Sequence, residues 1–339
     1  MRRVARVLEP GKLEILDLEH TVLGLDQARL QIEAVGICGS DVALMAGTHP
    51  YAVYPVIPGH ELGGRVLEVS AGSQFKPGQR VAVRPTLSCG VCPSCRDDHP
   101  NHCPEIRVLG VHLDGGMADE IVAPLELLYP VEDSISADYA AMVEPTAVAV
   151  HACRRAELQA GMSLAVIGSG VIGMLAIQVA KAWGCEPIMA IDRLPARLKI
   201  CEALGVDAVV NNIETSALDR GASLCPDGFD VVMDLVGRQE TLADAAALAA
   251  RGGTIVPVAL PHQAIQFDFE PTYRKELRIV SSRLYNGDFD MALALITSGK
   301  VRPEAIITHH FALAEAVRAF TLLAEHPEQA IKIIIEPQI

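Results

Sequence analysis

Four cysteines lie in one short stretch, Cys89-Gly-Val-Cys92-Pro-Ser-Cys95 and then Cys103, a C-x2-C-x2-C-x7-C pattern. Four thiolates on one loop suit a tetrahedral zinc ion with no open position, so this spacing predicts a structural metal rather than a reactive one. His99 and His102 are rival donors on the same loop, though four cysteines make them unnecessary. Two other turns carry soft or borderline metal ligands between glycines: Gly36-Ile-Cys-Gly-Ser-Asp41 and Gly59-His-Glu-Leu-Gly-Gly64. Either alone is unremarkable, because a single cysteine is commonly a small buried hydrophobe and a single histidine a satisfied core or surface residue.

A second chemistry is written in Leu164-Ala-Val-Ile-Gly-Ser-Gly-Val-Ile-Gly173, which continues through an apolar stretch to Lys181. A short apolar run followed by G-x-G-x-x-G predicts a buried parallel strand, a tight turn and a helix that opens on a phosphate. Gly168 permits the turn, Gly170 lets backbone approach a pyrophosphate, and Gly173 lets the helix pack on its strand. Val171 and Ile172 supply the N–H groups of the first turn, where the positive end of the helix favours an anion. Asp192 ends the next strand, Pro187-Ile-Met-Ala-Ile-Asp192, 19 positions after Gly173. A carboxylate there accepts hydrogen bonds from the adenosine ribose hydroxyls and repels a 2′-phosphate, so NAD is expected over NADP. Arg193 and Arg197 weaken that preference without reversing it.

These sites need elements to hold them. Residues 1 to about 85 carry short alternating runs such as Arg29-Leu-Gln-Ile-Glu-Ala-Val35 and Gly64-Arg-Val-Leu-Glu-Val69, broken by glycine and proline, which predicts an antiparallel β-rich domain. From about 148 to 282 apolar strands alternate with helical stretches, including Ala208-Val-Val210, Asp230-Val-Val-Met-Asp234, Thr254-Ile-Val-Pro-Val258 and Arg278-Ile-Val-Ser281. That alternation predicts an α/β doubly wound parallel sheet. The 339 residues suffice for two cores, and a formal net charge of −14 argues against a nucleic-acid or anionic-membrane partner, either of which needs a basic face. The N-terminus has no signal-peptide core and no stretch reaches membrane-spanning length. Nine cysteines without a secretion signal favour metal ligation over a disulfide framework, so the expected location is the cytoplasm.

The order of these motifs resembles the zinc-dependent medium-chain dehydrogenase family along essentially the whole chain. Cys-Gly-Ser-Asp at 38 to 41, Gly-His-Glu at 59 to 61, the cysteine loop at 89 to 103 and the glycine fingerprint at 168 to 173 carry the resemblance. It is closest to the polyol, sugar and threonine dehydrogenase branch, because Val143-Glu-Pro-Thr-Ala-Val-Ala-Val-His151 has a glutamate where the ethanol-type branch has a cysteine. The resemblance implies a GroES-like catalytic zinc domain, residues 1–147 and 283–339, and a Rossmann dinucleotide-binding domain, residues 148–282. It implies two zinc ions per chain, one structural and one catalytic. Cys38 and His60 ligate the catalytic ion with a carboxylate from Glu61 or Glu144, and three protein ligands leave one position for substrate oxygen. Ser40 matches the residue that hydrogen-bonds the substrate hydroxyl and passes its proton on. Ala43 stands where a histidine often continues that relay, leaving His49, water or the glutamates as substitutes.

Three further expectations follow from the resemblance. Arg283, in Ser282-Arg-Leu-Tyr-Asn286, matches a substrate-holding arginine, while Leu284 replaces a frequent tyrosine. Asp98 replaces a usual glycine but tolerates a left-handed turn, Ser70 is a small-for-small change, and residues 108 to 120 look like a glycine-rich strand pair. The implied reaction is hydride transfer between a secondary alcohol of a polyol, sugar or sugar acid and NAD, giving the ketone, in a homodimer or homotetramer. An L-threonine 3-dehydrogenase-like activity is the alternative, and a non-catalytic NAD-binding protein is disfavoured by the presence of every expected ligand type.

Overall fold

Alternating burial along Gln27–Gly36 places Ala28, Leu30, Ile32 and Ala34 on one face with no exposure, the period-2 pattern of a half-buried strand. This strand is central to a seven-stranded sheet in the computed structural model, which describes residues 1–261 and 263–339. The sheet runs Ile307–Ala312, Lys332–Glu336, Gln27–Gly36, Glu61–Val69, Arg80–Val83 and Leu128–Pro130, and Glu120–Pro124 pairs with Gln27–Gly36. Arg2–Glu9 and Lys12–Leu18 form a separate antiparallel pair. Pairing register sets Gly36 opposite Glu61 on one side and beside Ile334 on the other, so three distant stretches meet at one point.

The other sheet has six parallel strands in the order Ala208–Asn211, Ile188–Asp192, Leu164–Ile167, Phe229–Asp234, Ala249–Pro257 and Arg278–Ile279. Leu164–Ile167 is buried at every position, as a central parallel strand must be when helices cover both faces. The order reverses at this strand, which is the topological switch point where such sheets bind ligands.

The chain divides into two compact units, Met1–Glu144 with Ala292–Thr297 and Ile307–Ile339, and Pro145–Met291 with Ser298–Ile306. In this division Arg283 lies in the second unit. Buried Asp288 links distant parts of this unit: its carboxylate accepts from Arg154 Nη1 at 2.8 Å and the Asn286 N–H at 2.8 Å, and meets His151 Nδ1 at 2.8 Å. These contacts tie residues 286–288 to the helix Val143–Arg155. Residues 109–119 differ from the expected strand pair. They form a turn-rich loop whose Gly115, Gly116 and Met117 N–H groups donate to Ile57, Gly59 and Pro58, bracing the turn before His60.

Candidate active site

Cys38 caps the helix Gly39–Met45, and Asp41 is its third helical residue. That spacing turns the Asp41 carboxylate back under the turn, where Oδ2 accepts from the Cys38 N–H at 2.9 Å and Oδ1 from the Gly59 N–H at 3.1 Å. Asp41 thus joins the two ligand-bearing turns, and it is fully buried. Burial alone would raise its pKa, but the neighbouring His60 and these N–H groups outweigh that and hold it low.

His60 Nδ1 lies 3.4 Å from Asp41 Oδ1, an electrostatic contact without hydrogen-bond alignment, so this buried nitrogen has no aligned acceptor. Its Nε2 lies 3.4 Å from Ser40 Oγ. Burial pulls the imidazole down, but Asp41 and, more weakly, Cys38 hold it well above its ordinary value.

Glu61 follows His60 at the start of its strand, 1% exposed, and its carboxylate pairs with Lys332, which is equally buried. Lys332 Nζ also donates to the Ile37 carbonyl at 3.0 Å. Gly36 leaves the space for this pair, since a Cβ there would lie 1.9 Å from Glu61 Oε2. Donor atoms of Cys38, His60 and Glu61 lie within 4.8 Å of one another. Glu144 is outside that triplet but senses it: burial raises its pKa to about 7, with His60 and Lys332 opposing and Glu61 and Asp41 adding to the rise.

The chemistry of this donor set fits zinc. A thiol, an imidazole and a carboxylate converge, and the Asp41 carboxylate lies next to the imidazole, as a carboxylate commonly does beside a zinc-ligating histidine. His49 lies on the same turn-rich stretch. Its N–H donates to the Ala43 carbonyl at 3.2 Å, so the backbone of His49 folds against the residue that lacks the relay side chain. Its ring accepts from the Tyr51 N–H at 3.2 Å, and Tyr51 stacks on His112 with centroids 6.5 Å apart. Burial lowers the His49 pKa, helped by repulsion from His112 and His60.

The four sulfurs of Cys89, Cys92, Cys95 and Cys103 also lie within 4.8 Å of one another, with Cys92–Cys95 at 3.4 Å and Cys89–Cys95 at 3.9 Å. Tetrahedral zinc holds its sulfurs about 3.8 Å apart, so the loop is already near that shape. N–H groups of Val91 and Cys92 bring the Cys89 thiol down to about 7. Asp98 adopts φ +60°, the left-handed turn expected of it. His99 and His102 stack on each other instead of entering the cluster.

In the nucleotide unit Gly168 has φ +94°, and a Cβ on Gly173 would lie 2.3 Å from the Gly168 carbonyl oxygen. Gly170 precedes the helix Val171–Ala182 and has open space above its Cα, with Arg197 the nearest group at 3.9 Å. Asp192 is 6% exposed; it accepts from the Ser169 and Leu194 N–H groups at 2.9 Å each and pairs with Arg197 at 3.4 Å. Arg193 and Arg283 are exposed.

Residues 24–133 match the alcohol dehydrogenase GroES-like domain, and residues 171–298 match the zinc-binding dehydrogenase domain. The chain is 31% identical to sorbitol dehydrogenase of Bacillus subtilis, over 98% of this chain and 95% of that one. It is also 31% identical to L-galactonate-5-dehydrogenase of Escherichia coli, over 96% of each. A zinc-binding dehydrogenase of Sinorhizobium meliloti, solved bound to NADP, superimposes with a TM-score of 0.95 at 28% identity over 99% of both chains. With both of its halves matched and these relatives aligned nearly end to end, the chain belongs to the zinc-dependent medium-chain dehydrogenases, in their polyol and sugar-acid branch.

Proposed function

We propose that the protein oxidises a secondary alcohol of a polyol, sugar or sugar acid to the ketone with NAD as hydride acceptor, and runs the reverse reaction. The observation that carries this reading is the convergence of Cys38, His60 and Glu61 in the same unit as a buried Glu144. Cys38, His60 and Glu61 would hold a zinc ion, which would supply Lewis-acid polarisation of the alcohol, and a bound nicotinamide cofactor would supply the hydride acceptor.

The chain's own residues hold charge and move the proton. Cys38, His60 and Glu61 serve as ligands, and Lys332 offsets the charge of Glu61, so the site keeps more positive character than two anionic ligands alone would leave. Ser40 Oγ, beside His60 Nε2, relays the hydroxyl proton, accepting it while passing its own O–H proton onward, and so remains a neutral hydroxyl. Glu144, buried near the ligands, serves as an acid–base group, and His49 provides an exit in place of the missing side chain at Ala43. Cys89, Cys92, Cys95 and Cys103 hold a structural zinc. The helix at Gly168, Gly170, Val171, Ile172 and Gly173 binds the pyrophosphate, and Asp192 selects NAD, with Arg193 and Arg197 at the adenosine end. Arg283 contacts substrate hydroxyl or carboxylate groups. All nine cysteines are unpaired, which favours the cytoplasm, and the free sheet edge at Arg278–Ile279 favours pairing into a homodimer or homotetramer.

The test is NADH formation by zinc-loaded protein across polyols, aldonic acids, threonine and simple alcohols. Turnover of polyols or aldonic acids supports the proposal. Turnover restricted to simple alcohols or to threonine overturns the substrate class, and none at all, with NAD or NADP, overturns the reaction.

A further inference from the structure

Asp138, His310 and Glu336 place one carboxylate oxygen, one imidazole nitrogen and a second carboxylate oxygen within 4.8 Å of one another. The residues come from three elements of the first unit: the short helix Ala137–Ala141 and the parallel strands Ile307–Ala312 and Lys332–Glu336. His310 is opposite Ile334 in the strand pairing and Glu336 is opposite Ala312, so strand alternation puts His310 and Glu336 on one face. The helix covers that face, with Ala141 packed in a cluster with Ile334 and Ala34.

Charge within the cluster is only partly balanced. His310 Nε2 contacts Asp138 Oδ2 at 2.9 Å, a pairing that can neutralise one carboxylate when the ring is protonated. The second carboxylate remains. Among the described residues no lysine or arginine pairs with Asp138 or Glu336, on a chain whose net charge is already −14.

We infer that Asp138, His310 and Glu336 form a third metal site, for a divalent ion of the zinc class, apart from the cysteine loop and the Cys38–His60–Glu61 site. An imidazole with two carboxylates suits zinc, cobalt or nickel, whereas calcium and magnesium prefer oxygen alone. Donors around such an ion lie about 3 to 4 Å apart, so small side-chain rotations close the present spacing. Among the described residues three protein donors converge, one of them half exposed, so water would complete the coordination and binding would be weaker than at four cysteines.

The ion would staple the helix to the two strands. Asp138 precedes Glu144 by six positions, and Glu336 follows Lys332 by four along one strand. The staple therefore joins the segment that leads to Glu144 to the strand that carries the partner of Glu61.

The probe is Zn2+ itself, titrated into zinc-loaded enzyme by equilibrium dialysis with elemental analysis, after the tightly held zinc has been counted. One additional zinc per chain is expected at micromolar free Zn2+, with at least about tenfold weaker binding in His310→Ala and in Glu336→Gln. Amide exchange across 137–141 should slow when this zinc binds to wild type, and stay unchanged in the two variants. No additional zinc in the wild type, or an equal additional zinc in both variants, overturns the site. Because the tight zinc is counted first, failure of the dehydrogenase metal assignment is read separately.

Discussion

Lys332 and Glu61 are 271 residues apart in the chain, yet their side chains form an ion pair with 1% exposure at each residue. Removing the cation leaves Glu61 buried and uncompensated, and breaking such a pair typically costs about 3–5 kcal/mol. Lys332→Met should therefore destabilise the metal-free protein by that amount in chemical denaturation, and Lys332→Met combined with Glu61→Gln should recover most of the loss. A single variant as stable as wild type would show that the pair carries no net energy.

Glu144 gives the metal-free protein a pH signature of defined sign. Its folded pKa of about 7 exceeds the ordinary value of 4.5, so the folded state holds the proton more tightly than the unfolded state. The resulting stabilisation is complete below about pH 4.5 and is lost as pH rises through 7, with a total of roughly 3 kcal/mol. Glu144→Gln cannot ionise. Its stability should fall less than that of wild type between pH 5 and 8, and parallel denaturation profiles would contradict the assignment.

How much of this site is legible in the sequence depends on whether its parts are local. Cys38, the His60–Glu61 pair, the four-cysteine loop and the Gly168–Gly173 turn each fit within one loop or turn, so residue type and spacing suffice to mark them. Asp41 sits in a motif that the sequence makes conspicuous, but its role comes from being third in a helix, which aims its carboxylate at two turns. Lys332 is harder to find because its only signal is one lysine in the apolar run Ile331-Lys-Ile-Ile-Ile335, and pairing across the sheet supplies its partner. Asp288 is equally hidden, because its role comes from meeting His151 and Arg154, a long-range contact without a local pattern.

Ser40 and His49 divide the proposed proton path into an inner and an outer step. Ser40→Ala removes the hydroxyl next to His60 Nε2 and should lower kcat by about 10²-fold, with Ser40→Thr retaining most activity. His49→Gln should cause a smaller loss, confined to kcat, that added imidazole restores. Because burial and the neighbouring imidazoles depress the His49 pKa, wild-type kcat should stay high to lower pH than a free histidine would allow. If KM rises instead and imidazole has no effect, His49 acts in substrate binding and the exit lies elsewhere.

Asp192 sets the last expectation, because its carboxylate faces two opposing influences. The Ser169 and Leu194 N–H groups anchor it, leaving lone pairs for a ribose diol, while Arg197 partly offsets the charge that would repel a 2′-phosphate. Discrimination should therefore favour NAD but be moderate. Asp192→Ala removes the acceptor and the repulsion together and frees Arg197 to meet a phosphate beside exposed Arg193. Its kcat/KM for NAD should fall by about tenfold or more while that for NADP rises, since each lost or gained charged hydrogen bond is worth about 1.5–3 kcal/mol. Steady-state kinetics with both cofactors decide the point: an unchanged NADP/NAD ratio would place the adenosine ribose away from Asp192.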